Sequence, residues 1–176
     1  MKSAAKIIES RCNALARLIL AKDSIARARR DAAYVVANVK SRSDPVFHAF
    51  ECAVVVCYAR PFVSSDSGRI SERYERFPQR PELRPLHKCL IDTRHAFVAH
   101  QCLTKHRVSV IKPGGTLERP EGILGFIAGG ELIESLSIKP AIFKNIVELC
   151  EFQLERIEAD IEKEAVEIQK LNDNAR

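Results

Sequence analysis

SAAKIIESRCNALARLILAKDSIARARRDAAYVVANVK, residues 3–40, holds neither Gly nor Pro and is rich in Ala and Arg. Its apolar residues fall at Ile8, Cys12, Leu15 and Ile19, then at Ile25, Ala32, Val35 and Val39. Spacings of three and four place them along one stripe of a helix, so the stretch predicts a single long helix. Ser43-Asp44-Pro45 interrupts it. Asp44 suits an N-cap and Pro45 a first helical turn, so a second helix is predicted from there to about Arg60. It is apolar nearly all round (Val46, Phe47, Phe50, Val54, Val55, Val56), which suits a central position. Pro61 ends it.

The rest of the chain alternates between order and punctuation. Residues 61–80 are polar, rich in Ser and Arg, and carry Gly68 and Pro78. A connection of that length is either mobile or functional. A third helix is predicted from about Glu82 to Lys105, with Leu83, Leu86, Leu90 and Phe97 near one stripe. Arg107–Lys112 favours strand, Pro113-Gly114-Gly115 is a turn, and Ile123–Ala128 is read as the partner strand of a hairpin at about 107–128. Gly129-Gly130 has no Lys-Ser/Thr after it and reads as a turn rather than a phosphate loop. Helical spacing returns at Ile142, Ile146, Leu149, Leu154, Ile157, Ile161, Ala165, Ile168 and Leu171, giving a long last helix over about 140–174. The fold class is therefore mainly α. The expected architecture is one domain over 1–176, an antiparallel bundle of about four helices, two of them long, with a small β-hairpin insertion.

Charge is unevenly placed on a chain of net charge +5. Residues 1–43 carry ten Lys/Arg against three Asp/Glu, residues 60–112 eleven against five, and residues 144–176 five against nine. A basic body suggests a polyanionic partner for part of the surface. Behind Met1-Lys2-Ser3-Ala4 there is no apolar core of signal-peptide length, and no apolar run approaches a membrane span. A cytoplasmic protein without a membrane partner is expected. Six cysteines form no CxxC pair, so buried reduced thiols are expected rather than zinc ligands or a disulfide scaffold. His87, His95, His100 and His106 include no pair at i,i+4 spacing, so neither a metal nor another cofactor is expected.

The third helix carries the pointed chemistry: His87-Lys88-Cys89-Leu90-Ile91-Asp92-Thr93-Arg94-His95-Ala96-Phe97-Val98-Ala99-His100. Arg94 presents a planar, permanently charged fork suited to a phosphate. His100 has an intrinsic pKa near neutrality, suited to moving a proton. Six residues on an ideal helix separate the two by about 9 Å of rise and about 120°. They do not lie side by side, so a second copy of the helix is needed to complete a site. Two other Arg-His spacings, Arg42 to His48 and Arg80 to His87, are interrupted by prolines. Only Arg94 to His100 runs uninterrupted through a predicted helix.

Arg94-His95 followed by Phe97-Val98-Ala99-His100 resembles the Arg-x(4–6)-His signature of HEPN-domain proteins, with His95 at the polar position after the Arg. Tyr58-Ala59-Arg60-Pro61-Phe62 and Leu86-His87 have the flavour of HEPN-like bacterial proteins. The resemblance covers roughly residues 54–104. It implies an all-helical bundle, a homodimer with paired motifs at its interface, and metal-independent endoribonuclease activity of the kind found in toxins and defence components. It also implies an antitoxin or nucleotidyltransferase as partner. By carry-over Arg94 and His100 are the catalytic pair and His95 is auxiliary. Tyr58, Arg60, His87 and Lys88 are the residues expected to contact RNA. The alternative is a non-catalytic helical interaction or RNA-binding protein in which Arg94 and His100 are structural.

Overall fold

The computed structural model describes residues 4–63, 68–95, 106–110, 123–128, 131–136 and 138–174. The chain is mainly helical, with four α-helices among the described residues: α1 (Ala4–Asn38), α2 (Phe47–Ala59), α3 (Arg84–Thr93) and α4 (Phe143–Asn174). None of them is long and apolar enough to cross a membrane.

The 35 residues of α1 correspond to roughly 50 Å of helix. Its buried apolar face is Leu18, Ala21, Ile25, Ala28, Ala32 and Val35, a strict three–four alternation that Val39 continues just past the helix end. Three of the six helical residues are Ala, which lets neighbouring helices approach closely while α1 keeps its high helix propensity. This face differs by one position from the sequence reading in the first half of α1. Leu18 is buried and Ile19 is half exposed, and Cys12 is exposed, because the stripe is set by its buried end from Ala21 onward. Opposite it, α4 buries Phe143, Ile146, Leu149, Cys150, Leu154 and Ile157.

Ion pairs fix the direction of the two long helices. Arg11 pairs with Glu164 at 2.8 Å, Lys22 with Glu158 at 2.8 Å and Arg29 with Glu151 at 3.9 Å. As one number rises the other falls, so α1 and α4 run antiparallel. Such half-exposed pairs each contribute at most about 1 kcal/mol. Their main effect is on register. They also account for part of the charge segregation in the sequence, since the basic first helix is complemented by the acidic last one.

The second helix starts at Phe47, slightly later than Asp44-Pro45 suggested. The Asp44 carboxylate accepts the N–H of Val46 at 3.1 Å, so it still serves an orphan donor just outside the helix. Phe47, Val54, Val55 and Tyr58 enter the core. Glu51 is also buried, and its carboxylate accepts the N–H of Ile138, tying the approach to α4 onto α2.

The connection expected to be mobile or functional is pinned over 68–83. Ile70 donates its N–H to the Pro61 carbonyl at 2.9 Å, closing the loop on itself. Ile70, Tyr74, Phe77 and Leu83 are buried in the core. Gln153 donates to the Tyr74 carbonyl at 2.9 Å and Arg156 to the Arg73 carbonyl at 2.7 Å. The Arg156 guanidinium lies 5.2 Å from the Tyr74 ring centroid and 5.3 Å from that of Phe152. Asp160 takes both the Arg73 guanidinium and the Tyr74 hydroxyl. Burial, with the Asp160 carboxylate adding to it, pushes the Tyr74 phenol up to about 12.

Three strands, β1 (His106–Val110), β2 (Ile123–Ala128) and β3 (Glu131–Leu136), form one antiparallel sheet in the order β1-β3-β2. The expected pairing of the first two strands with each other is therefore corrected. Both flank β3, with Val108 and Phe126 each opposite Ile133. Only Gly129-Gly130 separates β2 from β3. Strands so close in sequence pair at lower loop-closure cost than strands separated by the longer stretch between β1 and β2.

Candidate functional site

The third helix begins with Pro85 in its first turn and ends at Thr93; Arg94 and His95 continue it in a wider, π-type turn. The Arg94 N–H is shared between the carbonyls of Leu90 and Ile91, a three-centre bond common at helix termini. The sequence predicted a helix running on to Lys105. Residues 96–105, and with them His100, lie outside the described residues.

One face of α3 is locked into the core. Leu83, His87 and Leu90 follow one another at four and three residues, and all three are buried. The His87 ring is 3 % exposed and Tyr58 is not exposed at all. The Tyr58 hydroxyl and His87 Nδ1 share a hydrogen bond of 2.8 Å. Phe62 meets the imidazole edge-on at 4.7 Å between centroids, and Phe77 lies at 5.0 Å. His87 Nε2 has no hydrogen-bond partner among the described residues. Burial, with the positive charges of Arg156 and Arg84 adding to it, lowers the His87 pKa to about 4. Burial likewise raises Tyr58 well above the ordinary phenol value. The pair is neutral near pH 7 and functions as a packed, hydrogen-bonded core element.

The other face is charged and open: Arg84 and Lys88 are exposed one turn apart. Past the end of α3, Arg94 is half-exposed and His95 is exposed. Arg94 is seven residues beyond His87, on the same stripe where that stripe leaves the core. Among the described residues Arg94 makes no ion pair or side-chain hydrogen bond. Other arginines of the chain are capped: Arg11 by Glu164, Arg69 by Glu75, Arg73 by Asp160, and Arg80 by both Glu82 and Glu148.

The residues expected from the sequence at an RNA surface therefore divide. Arg60 and Lys88 are exposed. Tyr58 and His87 are buried, and a ring without exposed area offers no face to a base. The signal for this lay in position: His87 falls on the Leu83–Leu90 stripe. Expectation also differed for the thiols. Cys150 is buried and burial pushes it up to about 12, but Cys12 and Cys89 are exposed.

The sequence pointed to Arg60 but not to Arg17, which the fold places beside the same cleft. Arg17 and Arg60 line one cleft of about 70 Å³ together with Ser24 and Gly68. Arg17 is one of many cations on an Ala/Arg-rich helix, and no spacing rule links it to Arg60. No protein-family model matches the chain, and neither the comparison with curated proteins nor that with solved structures returns a match.

Proposed function

We propose that the chain is a metal-independent endoribonuclease of HEPN type, acting as a homodimer with a composite site in the role of a toxin or defence component. The observation that carries this reading is the setting of Arg94. It stands half-exposed at the end of α3, beside exposed His95, without a carboxylate among the described residues. A guanidinium with no carboxylate partner among the described residues supports a role in binding phosphate.

In this reading Arg94 orients the scissile phosphate and stabilises the charge that builds on it. His100 removes the proton from the ribose 2′-hydroxyl, or protonates the leaving 5′-oxygen. The 2′-oxygen bonds to phosphorus, the bond from phosphorus to the 5′-oxygen breaks, and the products are a 2′,3′-cyclic phosphate and a 5′-hydroxyl. His95 assists in positioning. The helical separation of Arg94 and His100 is the reason for a composite site: each pair is completed by the partner's copy. An antitoxin or nucleotidyltransferase is the partner that the resemblance implies, and the cytoplasm the compartment.

The test is to incubate the purified protein with mixed RNA in EDTA, beside Arg94→Ala and His100→Ala proteins shown to be folded dimers. Cleavage by the native protein alone, leaving 2′,3′-cyclic phosphate ends, supports the reading. Intact RNA in all three tubes removes general ribonuclease activity.

A second reading, a helical interaction protein, has its own observation. The outer halves of α1 and α4 keep apolar surface exposed, with Ile7 and Val166 in solvent and a groove of about 420 Å³ lined by Leu15, Ala165 and Ile168 together with Gln169, Asn172 and Asp173. Exposed apolar surface of this kind marks contact with another helix. Under that reading RNA stays intact and Val166→Glu abolishes association.

A further inference from the structure

The cleft between α1 and the end of α2 has an electrostatic arrangement that the account of α3 does not use. It is lined by Arg17, Asp23 and Ser24 from α1, by Arg60 and Pro61 after α2, and by Gly68 and Ile70. Asp23 is engaged by Arg27 at 3.0 Å. Neither Arg17 nor Arg60 makes an ion pair or a side-chain hydrogen bond among the described residues. Among the described residues two permanent cations thus line one small cleft, and the carboxylate there, Asp23, is paired with Arg27.

The backbone around the cleft is built to hold this arrangement. The hydrogen bond from Ile70 N–H to the Pro61 carbonyl fixes 68–70 beside Arg60 and Pro61. Gly68 adopts φ +77°, a left-handed conformation that side chains disfavour. Arg17 packs directly on it: a Cβ at position 68 would lie 3.1 Å from Arg17 Nη1 and 3.3 Å from its Cδ. The glycine therefore both makes the turn and leaves room for the guanidinium. Ser24 adds a hydroxyl to the lining.

We infer that this cleft is a binding site for a phosphate monoester, held by Arg17 and Arg60. Two guanidinium groups match the charge of −1.5 to −2 that a monoester carries at about pH 7. Their planar forks donate paired hydrogen bonds to phosphate oxygens, which lysines cannot do. The cleft has space for a few waters or one tetrahedral oxyanion. A backbone diester has one charge and a chain continuing on both sides, and fits less well. The phosphate comes either as the free anion or as the 5′-end of a nucleic-acid strand. The inference is independent of the reading of Arg94, since it requires no cleavage.

The experiment follows the arginine Nε–H resonances of the ¹⁵N-labelled full chain. Three probes are titrated: inorganic phosphate, a 5′-phosphorylated all-deoxy tetranucleotide, and its 5′-hydroxyl twin. All-deoxy strands have no 2′-hydroxyl to react. The first two are expected to shift the Arg17 and Arg60 signals to saturation, and the third is not. Tetranucleotide affinity at least about tenfold above that of inorganic phosphate assigns the strand end as source; affinity at or below that level assigns the free anion. Arg17→Gln and Arg60→Gln, both at exposed positions, each weaken binding by about tenfold or more. Gly68→Ala weakens it by displacing Arg17, while Arg76→Gln, in the same connection but outside the cleft, leaves it unchanged. The inference is overturned if neither phosphate probe saturates. Equal binding by the 5′-hydroxyl twin, or undiminished binding by the Arg17→Gln/Arg60→Gln double variant, also overturns it.

Discussion

The two ends of α3 carry the same kinds of side chain in opposite surroundings. At one end His87 is sealed among Tyr58, Phe62 and Phe77, hydrogen-bonded to a phenol and shifted to a pKa of about 4. At the other, seven and eight residues on, Arg94 is half-exposed and His95 exposed. The helix is one element, but its core-facing stripe runs out near Thr93. A histidine count along the sequence treats His87 and His95 alike. Packing makes one a structural group that resists protonation and leaves the other available to solvent and ligand.

The exposed end has the largest expected effect. Under the proposed ribonuclease reading, Arg94→Ala is expected to lower the rate of RNA cleavage about a thousandfold, measured as initial rates on one substrate, and His100→Ala to do the same. Thermal melting of the Arg94→Ala protein stays within a few degrees of native. A large drop in melting temperature in step with the rate loss would instead make Arg94 a structural group, and the contrast between the two ends would fail.

The buried end is expected to speak through pH. The folded-state pKa of His87 lies below its unfolded value near 6.5. As pH falls through about 6.5 the unfolded chain takes up a proton that the native state refuses. Stability is therefore lost between about pH 6.5 and pH 4, by roughly 3 kcal/mol, and the loss levels off below that. Urea unfolding at a series of pH values reads this slope. In His87→Phe the slope over that window flattens, although the protein is less stable at pH 7 because the Tyr58 hydroxyl loses its partner.

Smaller changes sharpen the contrast further. Tyr58→Phe removes the 2.8 Å hydrogen bond while keeping the ring, and costs about 1 kcal/mol in urea unfolding. Lys88→Gln, on the solvent side of the same helix, shifts stability by less than about 0.5 kcal/mol. A Lys88 effect as large as that of Tyr58 would mean that the outward face of α3 is covered in solution.

Much of this fold is written in local pattern. The long helices α1 and α4 announce themselves by apolar spacing and the absence of Gly and Pro, because helix formation depends on neighbours in sequence. The register of α1 was less legible: Leu18 and Ile19 are equally apolar, and only packing against α4 buries the first. The connection at 61–80 reads as loose because the tethers of its described part are distant. Tyr74 and Arg73 are held by Gln153, Arg156 and Asp160, some eighty residues on. Strand β3, Glu-Leu-Ile-Glu-Ser-Leu, has no clean alternation and was missed, so the sheet was read as a simpler hairpin. Of the candidate site, Arg94 was legible by motif, whereas the Arg17–Arg60 cleft depends on two segments meeting in space.

The central claim is that Arg94 of one subunit and His100 of another act on the same phosphate. Mixing denatured Arg94→Ala and His100→Ala chains, refolding them together and assaying RNA cleavage in EDTA tests it most directly. Random pairing gives half heterodimers, each with one intact composite site, so activity is expected to return to about a quarter of native. A mixture as inactive as its two parents, beside a native protein refolded the same way that does cleave, would contradict the composite site.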